Sequence, residues 1–193
     1  MIALERARTA LLVMDFQAEV VAMLGAPGVA AVERAAPLVA AARAVGVPIF
    51  YVVVGFRPGY PELNRRNATL AALAESGRFQ GTTPGADLAP ALRPEPGDVV
   101  VVKHRVSAFA GTDLDMILRA QGLDTLVLTG LVTSGVVLST LRHAADADYR
   151  LLVAADACAD RDEEVHRVLT GKVFPRQAAV AAAGELAAAL AGG

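Results

Sequence analysis

The chain has 193 residues, of which 54% are hydrophobic, 20% charged and 5% aromatic, a length suited to one domain with an ample core. Eighteen basic and twenty acidic residues give a formal charge of −2, so no electrostatic footprint for nucleic acid or an anionic membrane is present. The single cysteine, Cys158, excludes an intramolecular disulfide and a cysteine-rich metal site, and 17 glycines with 10 prolines are too few for a fibrous or disordered chain.

Glu5, Arg6 and Arg8 interrupt the N-terminus before a long apolar run develops, so no signal peptide is expected and the cytoplasm is the expected compartment. The run Ala10 to Met14 is continuously apolar, as in a strand covered on both faces. A helical pattern through Glu33, Arg34 and Arg43 stops at Gly46, and Pro37 within it predicts a kink or two pieces. Val47 to Val54, rich in β-branched and aromatic residues, predicts a second strand, and Val99 to Val102 a third. A helix is expected over 113–121, a fourth strand over 126–128 and a helix from about Gly135 to Ala147. A fifth strand over 151–155 and a helix around 163–170 follow. The Ala-rich tail from Ala178 to Leu190 reads as a final surface helix. The uncharged stretch Thr125 to Leu141 is long enough to raise a membrane span, but its Thr-Gly and Thr-Ser-Gly punctuation reads better as strand, turn and helix. Alternation of apolar strands with helices predicts an α/β fold with a parallel sheet sandwiched between helices.

The segment from Phe56 to Gly97 breaks this rhythm with six of the ten prolines. So long an irregular stretch predicts a lid, a binding loop or a subunit contact within the same domain. Phe56, Tyr60 and Leu63 among its arginines suit an interface.

Ligands of open parallel sheets sit at the carboxyl ends of the strands. There the first strand runs into Asp15 with Gln17 beyond it, and the third into Lys103. The fourth runs into Thr129-Gly130-Leu131-Val132-Thr133-Ser134-Gly135 ahead of a helix. Asp15 and Lys103 either close the strand ends as a partly buried ion pair or belong to a site. Buried pairs are poor stabilisers, which favours the site.

Asp15-Phe16-Gln17, the block from Lys103 through His104, Arg105 and Phe109 to Leu114, and the block Leu128 to Thr140 together resemble the isochorismatase-like cysteine hydrolase superfamily. The resemblance runs from about Thr9 to Val180. It implies a Rossmann-like six-stranded parallel sheet in one domain over 1–193, with 56–97 as its loop or interface segment, and homo-oligomers of two or more copies. It also implies that Asp15 and Lys103 match the aspartate and lysine of amide-cleaving members, whereas the cysteine position falls on Val136. Valine has no nucleophile, so covalent amidase chemistry is not expected. Cys158 reads as a small buried filler, Ser134 as a helix N-cap, and Ser139 lies nearly a turn further in.

Isochorismatases in the superfamily hydrolyse a vinyl ether, and some carry no cysteine at this position. That reaction needs a proton delivered to carbon and then water, with no enzyme nucleophile. Asp15 could be the acid if burial raised its pKa, an effect that Lys103 opposes. The resemblance further implies a backbone oxyanion site around Val132, Thr133 and Val136, often with a cis peptide just before the residue matching Thr133. Candidate pocket residues are Phe16, Gln17, Phe56, Tyr60, Phe109 and Ser134. Nicotinamidase-like relatives hold a metal through an aspartate and histidines before the third strand. The corresponding stretch here, Gln80 to Gly85, has no histidine, and His104, His143 and His166 lack partners at ligand spacing, so neither a metal nor another cofactor is expected. The reading is a hydrolase of a small anionic or carbonyl-bearing molecule, with a catalytically silent ligand- or partner-binding relative as the competitor and a serine-based amidase less favoured.

Overall fold

The computed structural model describes residues 2–81 and 87–192; part of the Gln80–Gly85 stretch, and with it part of the 56–97 segment, lies outside the described residues. Six strands form one parallel sheet: β1 Thr9–Met14, β2 Ile49–Val54, β3 Val99–Lys103, β4 Thr125–Leu131, β5 Arg150–Ala159 and β6 Ala179–Ala181, in the order β3-β2-β1-β4-β5-β6. The helices are α1 Ala18–Leu24, α2 Ala26–Ala44, α3 Ala68–Ser76, α4 Leu114–Ala120, α5 Leu138–Asp146, α6 Glu163–Val168 and α7 Ala183–Gly192.

Successive residues of a strand point to opposite faces, and the apolar runs accordingly feed two cores. Leu11, Val13, Tyr51 and Val127 pack beneath α1, α2 and α7, together with Leu38, Ala42 and Leu186. Leu12, Met14, Phe50 and Leu128 face the other way, onto Leu114 and Leu118 of α4 and Leu141 of α5. The chain leaves β1 in one direction for β2 and β3, then returns to the other side of β1 for β4. That reversal opens a crevice at the carboxyl ends of β1 and β4, the usual ligand position in such sheets. None of the helices among the described residues is long and apolar enough to cross a membrane.

Several expected boundaries move. Pro37 lies inside α2, and the break falls instead at Gly25, whose φ of 64° separates α1 from α2. The irregular segment contains α3, capped by Asn67, whose side chain accepts the Leu70 N–H at 3.2 Å. The predicted tail helix gives up its first residues to β6, because pairing along β5 (Leu152 with Ala179, Val153 with Val180) outweighs the helix propensity of alanine. α7 then starts where Asp156 Oδ1 accepts the Ala183 N–H at 2.6 Å. β5 runs on to Ala159 past a register shift, so Cys158 lies in the strand opposite Gly130 rather than beyond it. The helix after β4 begins at Leu138; Thr133–Val137 form a wide turn in which Gly135 is non-helical (φ −93°, ψ −105°).

Gly130 lies where β4 approaches both β1 and the start of α5. A Cβ there would lie 3.0 Å from the Met14 carbonyl oxygen and 3.2 Å from Val137 Cγ2, and neither neighbour is a flexible chain end. Gly130→Ala is expected to lower stability by about 1–3 kcal/mol through overpacking, read as a shifted midpoint in urea denaturation.

Candidate active site

Asp15 is the first residue past β1, and its φ of 59° turns the chain out of the strand while its N–H still donates to Val52 O at 2.8 Å. Aspartate tolerates this left-handed conformation better than most residues do. Lys103 ends β3, two strands away, and its side chain reaches across β2 so that Nζ lies 2.9 Å from Asp15 Oδ2 and donates to Arg105 O at 3.2 Å. Both residues are buried, at 6% and 3% exposure. Asp15 Oδ1 is buried without a hydrogen-bond partner among the described residues. Burial pushes the Asp15 carboxyl above its ordinary value, and the charge and hydrogen bond of Lys103 pull it back only in part.

The pair lies in the wall of a cavity of about 240 Å³ at the crevice between β1 and β4. Val132, Gly135 and Val136 of the wide turn line the same cavity, so the sheet brings together Asp15, Lys103 and the position expected for a nucleophile. Val136 is buried, with 2% exposure. The Leu131–Val132 peptide is cis, one bond earlier than the bond preceding Thr133. The turn is braced from behind by residues that sequence reasoning missed. Asp160 Oδ2 accepts the Ser134 N–H at 2.7 Å, and Thr133 Oγ1 and His166 Nδ1 share a hydrogen bond of 2.9 Å. Asp160 closes the run Asp156 to Asp160, in which only Cys158 drew notice. Burial lowers the His166 pKa against the raising effect of Asp160 and Glu163.

Of the expected pocket residues, Phe56 lines the cavity. Tyr60 packs against it in a tilted arrangement with ring centroids 5.4 Å apart and donates its hydroxyl to Arg78 O, so this aromatic pair is engaged within the chain. Phe16 is fully buried in the core under α1 and α2. Phe109 belongs to the opposite core and stacks on His143 at 5.0 Å. Ser134 is exposed, lies outside the cavity lining and caps no helix; its backbone N–H, not its hydroxyl, is the bonded group. Gln17 is fully buried as a brace: its Nε2 donates to Val54 O and Asp87 Oδ2, and its Oε1 accepts the Val54 N–H at 2.7 Å. Gln17 thus ties the start of α1 to the end of β2 rather than facing a ligand. In place of these residues, Val20 and Met23 of α1, Leu70 and Leu73 of α3, Phe79 and Val106 form much of the wall. No cluster of metal-ligating side chains occurs among the described residues.

Several known proteins are similar to this chain. YecD of Escherichia coli O157:H7, described as an isochorismatase family protein, is 34% identical over 192 residues, spanning 98% of this chain and 100% of YecD. Ureidoacrylate amidohydrolase RutB of Methylorubrum extorquens is 41% identical over 139 residues, 65% of this chain and 56% of RutB, so that match spans little more than half the relative. N-carbamoylsarcosine amidase from Thermoplasma acidophilum, a solved structure, superposes with a TM-score of 0.76 at 32% identity, covering 91% of this chain and 96% of that one. Residues 9–185 match the isochorismatase domain itself. With sheet order, crevice and near full-length likeness in agreement, the chain belongs to the isochorismatase family of hydrolases.

Proposed function

We propose that this chain is a hydrolase of a small molecule that works without a cysteine nucleophile, with Asp15 as general acid or base and Lys103 orienting it and stabilising charge. The observation that carries the reading is Asp15 Oδ1: a carboxylate oxygen buried in the wall of a cavity, with a lysine on its sister oxygen and no partner of its own. A buried polar atom left unpaired costs roughly 1–3 kcal/mol, and a ligand group or water that meets it recovers that cost. Burial raises the proton affinity of the Asp15 carboxyl, the direction that favours a proton donor. In hydrolysis of a vinyl ether, Asp15 gives its proton to carbon, water adds to the resulting oxocarbenium carbon, and the hemiketal breaks to carbonyl and alcohol. In hydrolysis of an amide or carbamoyl group, the substrate type named for RutB and N-carbamoylsarcosine amidase, an ionised Asp15 instead takes a proton of the attacking water and returns it to the nitrogen as the C–N bond breaks, leaving acid and amine. The backbone of Val132, Thr133 and Val136 is assigned to the oxyanion that develops in the amide or carbamoyl route; the vinyl-ether route develops positive charge and makes no such demand.

A second reading, a catalytically silent ligand-binding relative, draws support from the turn itself. Its Val136, buried in the cavity wall at the position expected for a nucleophile, offers no group that could attack. A screen of isochorismate, small amides and carbamoyl compounds separates the readings. On any substrate found, Asp15→Asn is expected to reduce the rate by about 10²–10⁴-fold; an undiminished rate in the folded variant would defeat the mechanism.

Lys103→Met removes the influence that lowers the Asp15 carboxyl, so its folded pKa rises further. The folded variant then keeps a proton that the unfolded chain gives up above about pH 4, and loses stability as pH rises through that window. Wild type loses stability in the same way up to its own raised Asp15 value, so the gap is expected to open above the pH at which wild-type Asp15 ionises and to widen from there towards the higher value of the variant, reaching about 3–5 kcal/mol. Urea denaturation at several pH values checks this, and a gap independent of pH would contradict it.

Val136→Cys tests the alignment of the nucleophile position. A thiol there faces the cavity beside Lys103, whereas burial pushes the native Cys158 thiol up to about 12. At neutral pH, alkylation followed by mass spectrometry is expected to label position 136 well before Cys158. Equal or slower labelling at 136 would mean that the site is closed or misassigned.

A further inference from the structure

Beyond the Asp15–Lys103 pair the cavity wall is mostly apolar, although Glu19, Thr69, Arg78, His104 and Arg105 also line it. α1 contributes Val20 and Met23, and α3 contributes Leu70 and Leu73, three residues apart on one helical face; Phe79 and Val106 complete the wall. Met23 and Val106 are each 37% exposed, two of the four large apolar side chains exposed among the described residues, and both lie on this one concavity. Exposed apolar side chains gathered at a cavity mark a binding surface rather than scattered surface residues. The chain just beyond α3 is tied to α1 by Arg78, whose Nε lies 2.7 Å from Glu19 Oε1.

The charges around this wall are mostly matched. Lys103 faces Asp15 and Arg78 faces Glu19. Arg105 donates to the carbonyl oxygens of His104 at 2.7 Å and Glu62 at 3.1 Å. His104 Nδ1 bonds to Gly55 O. A polyanionic substrate would find only Arg105 without an acidic partner among the described residues, and would strip its remaining charge of water against leucine, methionine and phenylalanine.

We propose that the substrate is a small molecule with an uncharged, apolar body, its reactive polar group at Asp15 and Lys103 and its body against Met23, Leu70, Leu73 and Phe79. Leu70 and Leu73 of α3 set this preference. The inference rests on the cavity being the reactive site proposed above. At about 240 Å³ the cavity is smaller than the ~300–1,000 Å³ of drug-sized pockets, which limits the body to a short aliphatic chain or a single ring.

The test compares two amides of equal chain length, hexanamide and adipamate, the latter carrying a carboxylate in place of the terminal methyl. Dissociation constants are measured on the full chain by NMR chemical-shift titration, in wild type and in Leu73→Ser. Leu73 is half-buried on an outlying helix, so its replacement leaves both cores intact. Hexanamide is expected to bind at least about tenfold more tightly than adipamate, as the desolvation of a carboxylate against an apolar wall dictates. Leu73→Ser is expected to weaken hexanamide by on the order of tenfold, the share of a partly buried leucine, and to leave adipamate unweakened. Adipamate binding as tightly as hexanamide, no binding of hexanamide, or an unchanged hexanamide constant in Leu73→Ser would each overturn the inference. Because binding is read without turnover, rates equal in wild type and Asp15→Asn would count against the hydrolase reading alone and leave the apolar preference standing.

Discussion

Lys103 lies on β3 and Asp15 beyond β1, with β2 between them, so a lysine side chain must cross a strand to make the 2.9 Å contact at the head of the sheet. Much of the local architecture is arranged around that requirement. Both charges lie in the protein interior, where desolvation exceeds what an ion pair returns unless the remaining polar valences are filled. Lys103 fills one with Arg105 O, while Asp15 leaves Oδ1 open. The left-handed backbone at Asp15 turns the chain out of β1 while its amide keeps the bond to Val52. A pair of this kind is a poor device for stability and a sound one for holding a carboxyl in a fixed place with a shifted proton affinity.

Holding that geometry falls to polar residues that never reach the cavity. Gln17 fills three hydrogen-bonding positions with Val54 and Asp87, fixing the path from β1 into α1 against the end of β2. On the far side, Asp160 and His166 reach the wide turn from β5 and α6 through Ser134 and Thr133. Each contact satisfies a backbone or hydroxyl group at the end of the sheet where the regular ladder stops, and where an unpaired buried group is expensive. Positioning at this site is thus divided between a charged pair facing the cavity and neutral or capped groups behind it.

How much of this was legible in the sequence follows from the range of the forces involved. β1 to β5 stood out because a strand buried on both faces must be apolar throughout, and Asp15 and Lys103 stood out because a charge directly after such a run needs a reason. α3 and β6 did not. α3 is a short helix in a proline-rich segment, stabilised by its cap and by contacts at its ends, and β6 is a three-residue strand whose alanines favour helix until β5 supplies a partner. The aromatics misled for a geometric reason. Residues near the strand ends divide between the two faces of the sheet and the crevice, and Phe16, Phe109 and Phe56 went to one core, the other core and the cavity respectively. Leu70 and Leu73, generic in sequence, became wall residues only through the placement of α3.

The absence of a thiol at position 136 and the raised carboxyl at position 15 bear on each other. A cysteine there would have to lose its proton before attacking, and the acceptor would have to be an ionised Asp15. Burial opposes that ionisation, and only the Lys103 charge favours it. With valine in that place no thiol proton needs an acceptor, and the raised proton affinity of Asp15 is no longer a handicap. The same burial that weakens Asp15 as a base strengthens it as a donor, since a proton is delivered best by an acid whose pKa lies near the working pH. The apolar side chain of Val136 adds to the desolvation around the pair, because it occupies wall that a thiolate would have made polar. On the proposed reading, the sheet, the crevice and the charged pair serve proton transfer and the admission of one water in place of attack by the enzyme.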